Sequence, residues 1–178
     1  MKYIILFSIL ASSTATYAAS VSAYSDLGSS CKVLSSSEND PNAEIDYFTS
    51  VCQGREGFDI RVDGGDLRSW ISLARHNTDT LVAENISFSF REGQFPNVAG
   101  SKLEWRYTNG DLTALIVRMS GQDPDNSNNE LETLAVMRLS KASPEKSCVV
   151  GVVNAKLPNA NLKARAIADS AATKCLIE

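Results

Sequence analysis

The chain has 178 residues, with 21 acidic against 17 basic side chains for a net charge of −4, and 43% of its residues are hydrophobic. Setting aside a leader leaves about 160 residues, the size of one domain and enough for a self-sufficient core. The charges are interspersed without a basic run, which excludes phosphate-driven nucleic-acid binding and disfavours an anionic membrane surface.

Residues 1–18 read as a signal peptide. Lys2 supplies the positive start, Tyr3 to Leu10 form a short apolar core, and small residues continue to Ala19. Cleavage after Ala18 places Thr16 and Ala18 at −3 and −1, whereas cleavage after Ala19 would place bulky Tyr17 at −3. The apolar run is far shorter than the roughly 20 residues of a membrane span, and no cysteine stands at the cleavage point to carry a lipid anchor. Residues 19–178 are therefore expected to be one unanchored domain, periplasmic or secreted. In such an oxidising compartment the four cysteines are expected to form disulfides. Three pairings are possible. Cys31–Cys52 and Cys148–Cys175 are favoured because each pair brackets one compact unit. A metal site would want CxxC spacing or clustered histidines, and His76 is the only histidine.

The stretch after the leader, through Ser35–Asn42, reads as a polar loop tied down by Cys31. Tyr47–Cys52 is a first strand. Phe58, Ile60 and Val62 then alternate with Asp59, Arg61 and Asp63, and Gly64-Gly65 suggests a two-residue hairpin loop. That loop would face Val62 with Leu67, Ile60 with Ser69 and Phe58 with Ile71, giving one apolar face. Ile86, Phe88 and Phe90 alternate as a half-buried strand. Asn109-Gly110 marks a second hairpin within 102–119, facing Tyr107 with Leu112, Trp105 with Ala114 and Leu103 with Ile116. Residues 121–130 read as a polar linker and Leu131–Leu139 as a strand. Cys148–Val153 is apolar without alternation, as for a strand covered on both faces. Pro158 and Asn159 can start a terminal helix, whose apolar stripe Ala164, Ile167, Ala168, Ala171 and Cys175 ends on the bridging cysteine. Lys163 and Arg165 fall off that stripe, toward solvent. The expected fold is mainly β (α+β): about seven antiparallel strands in a curved sheet or sandwich, with one C-terminal α-helix packed on it.

Most catalytic templates are missing. No serine sits in a GxSxG elbow, no glycine loop is built for phosphate, and His76 lies between Arg75 and a polar turn. Asp123–Glu130 resembles half of a calcium loop, but Asn128 and Leu134 replace the glycine and bidentate glutamate that an EF-hand needs. Two charged clusters remain as tentative binding residues: Arg61, Asp66 and Arg68 around the glycine turn, and Glu104 and Arg106 beside Trp105. In the expected register Arg61 and Arg68 face each other and would repel unless aspartates or a bound anion neutralise them. No catalytic residue, metal or cofactor is assigned.

The ordered set Cys31, Cys52-Gln53-Gly54, Gly65-Asp66-Leu67-Arg68, Glu104-Trp105-Arg106, Cys148-Val149-Val150-Gly151 and Ala164–Asp169 with Cys175 resembles a group of small secreted, disulfide-bonded proteins of Gram-negative bacteria, mainly alphaproteobacteria. The resemblance implies export, the favoured cysteine pairing and the terminal helix, and implies no reaction. A small periplasmic antiparallel fold with disulfides is also the plan of bacterial lysozyme inhibitors, although Ser120-Gly121 here has no tyrosine nearby. The expectation is a non-enzymatic exported protein that binds an unknown protein partner. A small anionic ligand, a lysozyme-inhibitor-like role and a carboxylate-dependent hydrolase stand as alternatives.

Overall fold

The computed structural model describes residues 19–28, 31–77, 81–83, 97–123, 125–170 and 174–176. The leader and the strand expected around Ile86–Phe90 lie outside them. In chain order the elements are β1 (Ser20–Asp26), β2 (Cys31–Ser36), β3 (Phe48–Cys52), β4 (Phe58–Gly65), β5 (Arg68–Arg75), β6 (Leu81–Ala83), β7 (Asn97–Thr108), β8 (Asp111–Asp123), β9 (Asn126–Arg138), β10 (Cys148–Asn154) and helix α1 (Ala160–Ala168). Mainly β with one C-terminal helix is the class expected, but the described residues form ten strands where about seven were anticipated.

The strands follow the order β10-β9-β8-β7-β5-β4-β3-β2, with β1 added to β7 and β6 to β5. Neighbours are antiparallel except at one point, where Asn97 at the start of β7 bridges Arg68 of β5 in parallel. That contact joins two halves whose inner faces form the main core. Phe58, Ile60, Ile71 and Leu73 from β4–β5 meet Leu103, Trp105, Leu115, Val117 and Met119 from β7–β8. Behind the second half, Ile116, Leu134, Val136, Val150 and Val153 pack against Ala160 and Ala164 of α1. β10 is thus covered by α1 on one face and gives Val149 to the main core on the other, but Val152 on that second face is 42% exposed, so the full two-sided cover that its apolar run implied is not reached.

Five expectations are corrected. The polar N-terminal stretch forms two strands, because β1 finds a free side of β7 and offers it small hydroxyls: Ser25 Oγ accepts from the Trp105 indole at 2.5 Å. The supposed linker 121–130 continues β8 to Asp123 and starts β9 at Asn126, so it is the end of a long hairpin. Its tip is held by Asx turns, with Asp123 Oδ1 accepting from the Asp125 amide and Asn126 Oδ1 from the Asn128 amide. The helix stops at Ala168, capped by Asp169, so Cys175 lies beyond its last turn. Arg165, expected in solvent, is half-buried against the sheet.

The fifth concerns the hairpin registers. The β4–β5 turn is Asp66-Leu67, with φ of 51° and 60°, and Gly65 pairs with Arg68, Val62 with Ile71 and Ile60 with Leu73. Gly64 and Gly65 are strand residues instead, because β3 passes too close for a side chain. A Cβ on Gly65 would lie 2.1 Å from the Asp46 carbonyl oxygen, and one on Gly64 would lie 2.5 Å from the Phe48 ring. Arg61 consequently faces Ser72, not Arg68. The Asn109-Gly110 turn forms as expected with Tyr107 opposite Leu112, but a bulge then shifts Trp105 onto Leu115 and Leu103 onto Val117.

Both expected disulfides are formed, Cys31–Cys52 across β2–β3 and Cys148–Cys175 from β10 to the tail. Among the described residues no helix is long and apolar enough to cross a membrane.

Candidate functional site

The five candidate residues do not converge on one cleft. Glu104 and Arg106 lie on the α1-covered side of β7 and are locked into a buried ionic network. Arg106 Nε and Nη2 donate to Asp169 Oδ1 and Oδ2 at 3.0 and 2.5 Å, and its Nη1 donates to Ser22 Oγ at 2.6 Å. The Ser22 hydroxyl donates to Glu104. Arg165 Nε and Nη2 donate to Glu104 Oε1 and Oε2 at 2.6 and 3.2 Å, and Nη2 also reaches Tyr24 Oη at 2.9 Å. The hydrogen bond to Glu104, more than burial opposes it, raises the Arg165 pKa above its already high value. Strand β1, strand β7 and the helix end are thereby tied through four ionic side chains and the Ser22 hydroxyl, which both donates and accepts.

Beside this network is a cleft of about 340 Å³ lined by Tyr24, Lys102, Glu104, Arg118, Asn161 and Arg165, among others. Every cation on it has a carboxylate at hand. Arg165 has Glu104, Arg118 has Glu132, and Lys102 has Asp26 as its cross-strand neighbour. The cleft therefore offers little net field to a small anion.

Arg61 is likewise consumed. Its Nε donates to both oxygens of Asp63 at 3.0 and 2.9 Å, and Thr49 Oγ1 donates to the same carboxylate at 2.7 Å. Only Asp66 and Arg68 come together on an open surface. They line a cleft of about 530 Å³ with Ile45, Asp46, Tyr47, Gly64, Gly65 and Trp70. Its floor exists because the paired glycines let the Asp46–Tyr47 backbone lie against β4. Burial first, then the hydrogen bond to and charge of Asp40, push the Tyr47 hydroxyl pKa up, so it remains a neutral donor, 3.1 Å from Asp40 Oδ2. Large apolar side chains stand in water here: Ile45, 74% exposed, and Trp70, 37% exposed, line the cleft, and Leu67, 69% exposed, sits in the turn beside it.

One polar site escaped the sequence reading. Asp59 looks like a solvent-facing residue of an alternating strand, yet it is buried. Its carboxylate accepts from the Gly54 and Asn77 amides at 3.1 and 3.2 Å and lies 3.0 Å from His76 Nδ1. Burial alone would raise this carboxyl; the His76 bond, the two amides and the imidazole charge together outweigh it and hold the pKa below the usual carboxylate range. The pair resembles a base with its orienter, but among the described residues no hydroxyl or thiol bonds to the ring. A depressed folded pKa means that the stabilisation is complete above the unfolded value of about 4 and is lost as pH falls through the folded one. Urea unfolding of Asp59→Asn against wild type should therefore show a stability gap at pH 7 that narrows toward pH 2. A gap that stays constant over that range would remove the assignment.

Among the described residues no three histidine, cysteine, aspartate or glutamate side chains are grouped to hold a metal ion. No family model, no curated protein and no solved structure matches the chain.

Proposed function

We propose that the chain is an exported protein, periplasmic or secreted, with no catalysis of its own, and that it works by binding a partner protein through the cleft at the β4–β5 turn. The observation that carries this reading is a concave surface lined by exposed Ile45 and Trp70, with exposed Leu67 in the turn between its lining residues Asp66 and Arg68, that also presents Tyr47. Tryptophan, tyrosine and arginine set in a concave apolar patch are the composition of protein-binding hot spots, and contiguous exposed apolar surface marks interaction sites. Two disulfides are consistent with an oxidising compartment, and β1 begins at Ser20, just past the expected cleavage point. The resemblance to small secreted proteins of Gram-negative bacteria agrees with this location. The small-anion reading has less support, because Arg61 and Arg106 already hold carboxylates within the fold.

The test is capture from a periplasmic extract with disulfides intact, comparing wild type with Leu67→Ser and Trp70→Ala. The expected result is a stoichiometric partner on wild type that both variants lose. Retention by both folded variants, or repeated failure of wild type to hold anything, would sink the reading.

A further inference from the structure

The cleft at the β4–β5 turn is apolar, but its electrostatics are one-sided. Asp46 and Asp66 line it directly. Asp40 is joined to it through the Tyr47 hydroxyl, and Glu44 and Glu38 are exposed on the connection that leads into β3. From Val33 to Gly54 the chain contains no lysine or arginine. Among the described residues, Arg68 is the one cation lining the cleft. Among the described residues, the ion pairs Arg61–Asp63, Arg118–Glu132 and Lys141–Glu56 and the network Glu104–Arg106–Arg165–Asp169 carry matched charges.

We infer that the partner is cationic: a basic polypeptide segment presenting a large apolar side chain to the space between Ile45, Tyr47 and Trp70, with lysines or arginines flanking it. This inference rests on the proposed function and adds the chemistry of the occupant. The apolar rim supplies contact area that gains from desolvation. The acidic surround supplies steering, which speeds association and rejects acidic competitors. Arg68 sits where it limits the negative field to the rim.

The test uses the mature, disulfide-bonded protein and two fluorescein-labelled probe peptides of identical apolar pattern, one carrying four lysines and the other four glutamates. Fluorescence anisotropy at low salt should give the lysine peptide at least a tenfold tighter Kd, and raising the salt to physiological strength or above should erode that preference by screening. The double variant Asp46→Asn/Asp66→Asn should cut the preference to about threefold or less, because each rim charge contributes only a modest interaction. Asparagine tolerates the left-handed backbone at position 66, so this variant keeps the turn. Leu67→Ser should weaken both peptides. Equal binding of the two peptides, a preference unchanged in the double variant, or no binding of either below about 1 mM, the limit of a meaningful affinity, would overturn the inference. A partner captured from extract that Leu67→Ser releases, while Asp46→Asn/Asp66→Asn and salt leave it in place, keeps the proposed function and removes the cationic partner. A partner released by none of these changes removes both.

Discussion

Arg106→Ala should lower the unfolding free energy by about 3–5 kcal/mol, the cost of breaking a buried ion pair by deleting one partner. The Arg106 side chain is only 7% exposed and meets Asp169 through two parallel bonds, so its loss strands a carboxylate at the helix end and an unfilled space beneath α1. Asp169 caps the C-terminus of α1, where the helix dipole disfavours negative charge. The guanidinium offsets that repulsion. A nine-residue helix has little stability of its own, so amides of α1 should lose hydrogen-exchange protection together with the global shift. Arg106→Lys should recover only part of the loss, because an ammonium cannot reproduce the planar fork. A double-mutant cycle with Asp169→Asn isolates the coupling. A cost under about 1 kcal/mol for Arg106→Ala would place this pair with ordinary surface salt bridges and would leave the helix held by its apolar contacts and the Arg165–Glu104 pair.

The same residues explain how much of the structure could be read from the chain. The alternation in β4, β5 and β7 marked the right core residues even where the pairing was off. Moving the β4–β5 turn from Gly64-Gly65 to Asp66-Leu67 displaces the register by two residues along each strand, and an even displacement keeps Phe58, Ile60 and Ile71 on the same face. The local rule for glycines lost to a non-local fact, the approach of Asp46 and Tyr47. Leu67 was assigned to the apolar face and instead stands in the turn, which is why the exposed patch could not be foreseen. In β8 the bulge at Thr113 has the opposite consequence. It brings Leu115, Val117 and Met119 into the main core and turns Ile116 toward the helix. Glu104 and Arg106 were correctly assigned to the face opposite Trp105. That α1 would cover this face, and supply Arg165 and Asp169 as partners, is a tertiary fact without local signal. β1 was hidden for another reason: Ser22, Ala23 and Ser25 are too small to give a hydrophobic period, and the two serines act through bonds with Glu104, Arg106 and Trp105.

Cys148→Ser/Cys175→Ser should cost about 3–4 kcal/mol, the chain-entropy expectation for a loop of this length, with a sequence separation of 27. For a domain of this size that corresponds to a fall in Tm of roughly 6–16 °C. The bridge encloses β10, the connection after it and α1, so it restricts the unfolded chain over the segment that closes the second core. In the folded state it holds the tail close enough for the Leu176 amide to donate to the Val149 carbonyl at 2.7 Å. Arg138 Nη2 lies 3.6 Å from both sulfurs, which places a long side chain over the bridge. The main core between the two halves involves neither cysteine of this pair. The serine variant should therefore remain folded at 25 °C with unchanged far-UV dichroism, while exchange protection is lost at the Leu176 amide and lowered across α1. Urea unfolding of the oxidised wild type and the double serine variant measures the difference, provided the slopes agree. A variant as stable as wild type would mean that α1 is fixed by the Arg106–Asp169 and Glu104–Arg165 pairs without help from the tail. A variant that fails to fold would mean that the second core is too small to form before the chain is closed around it.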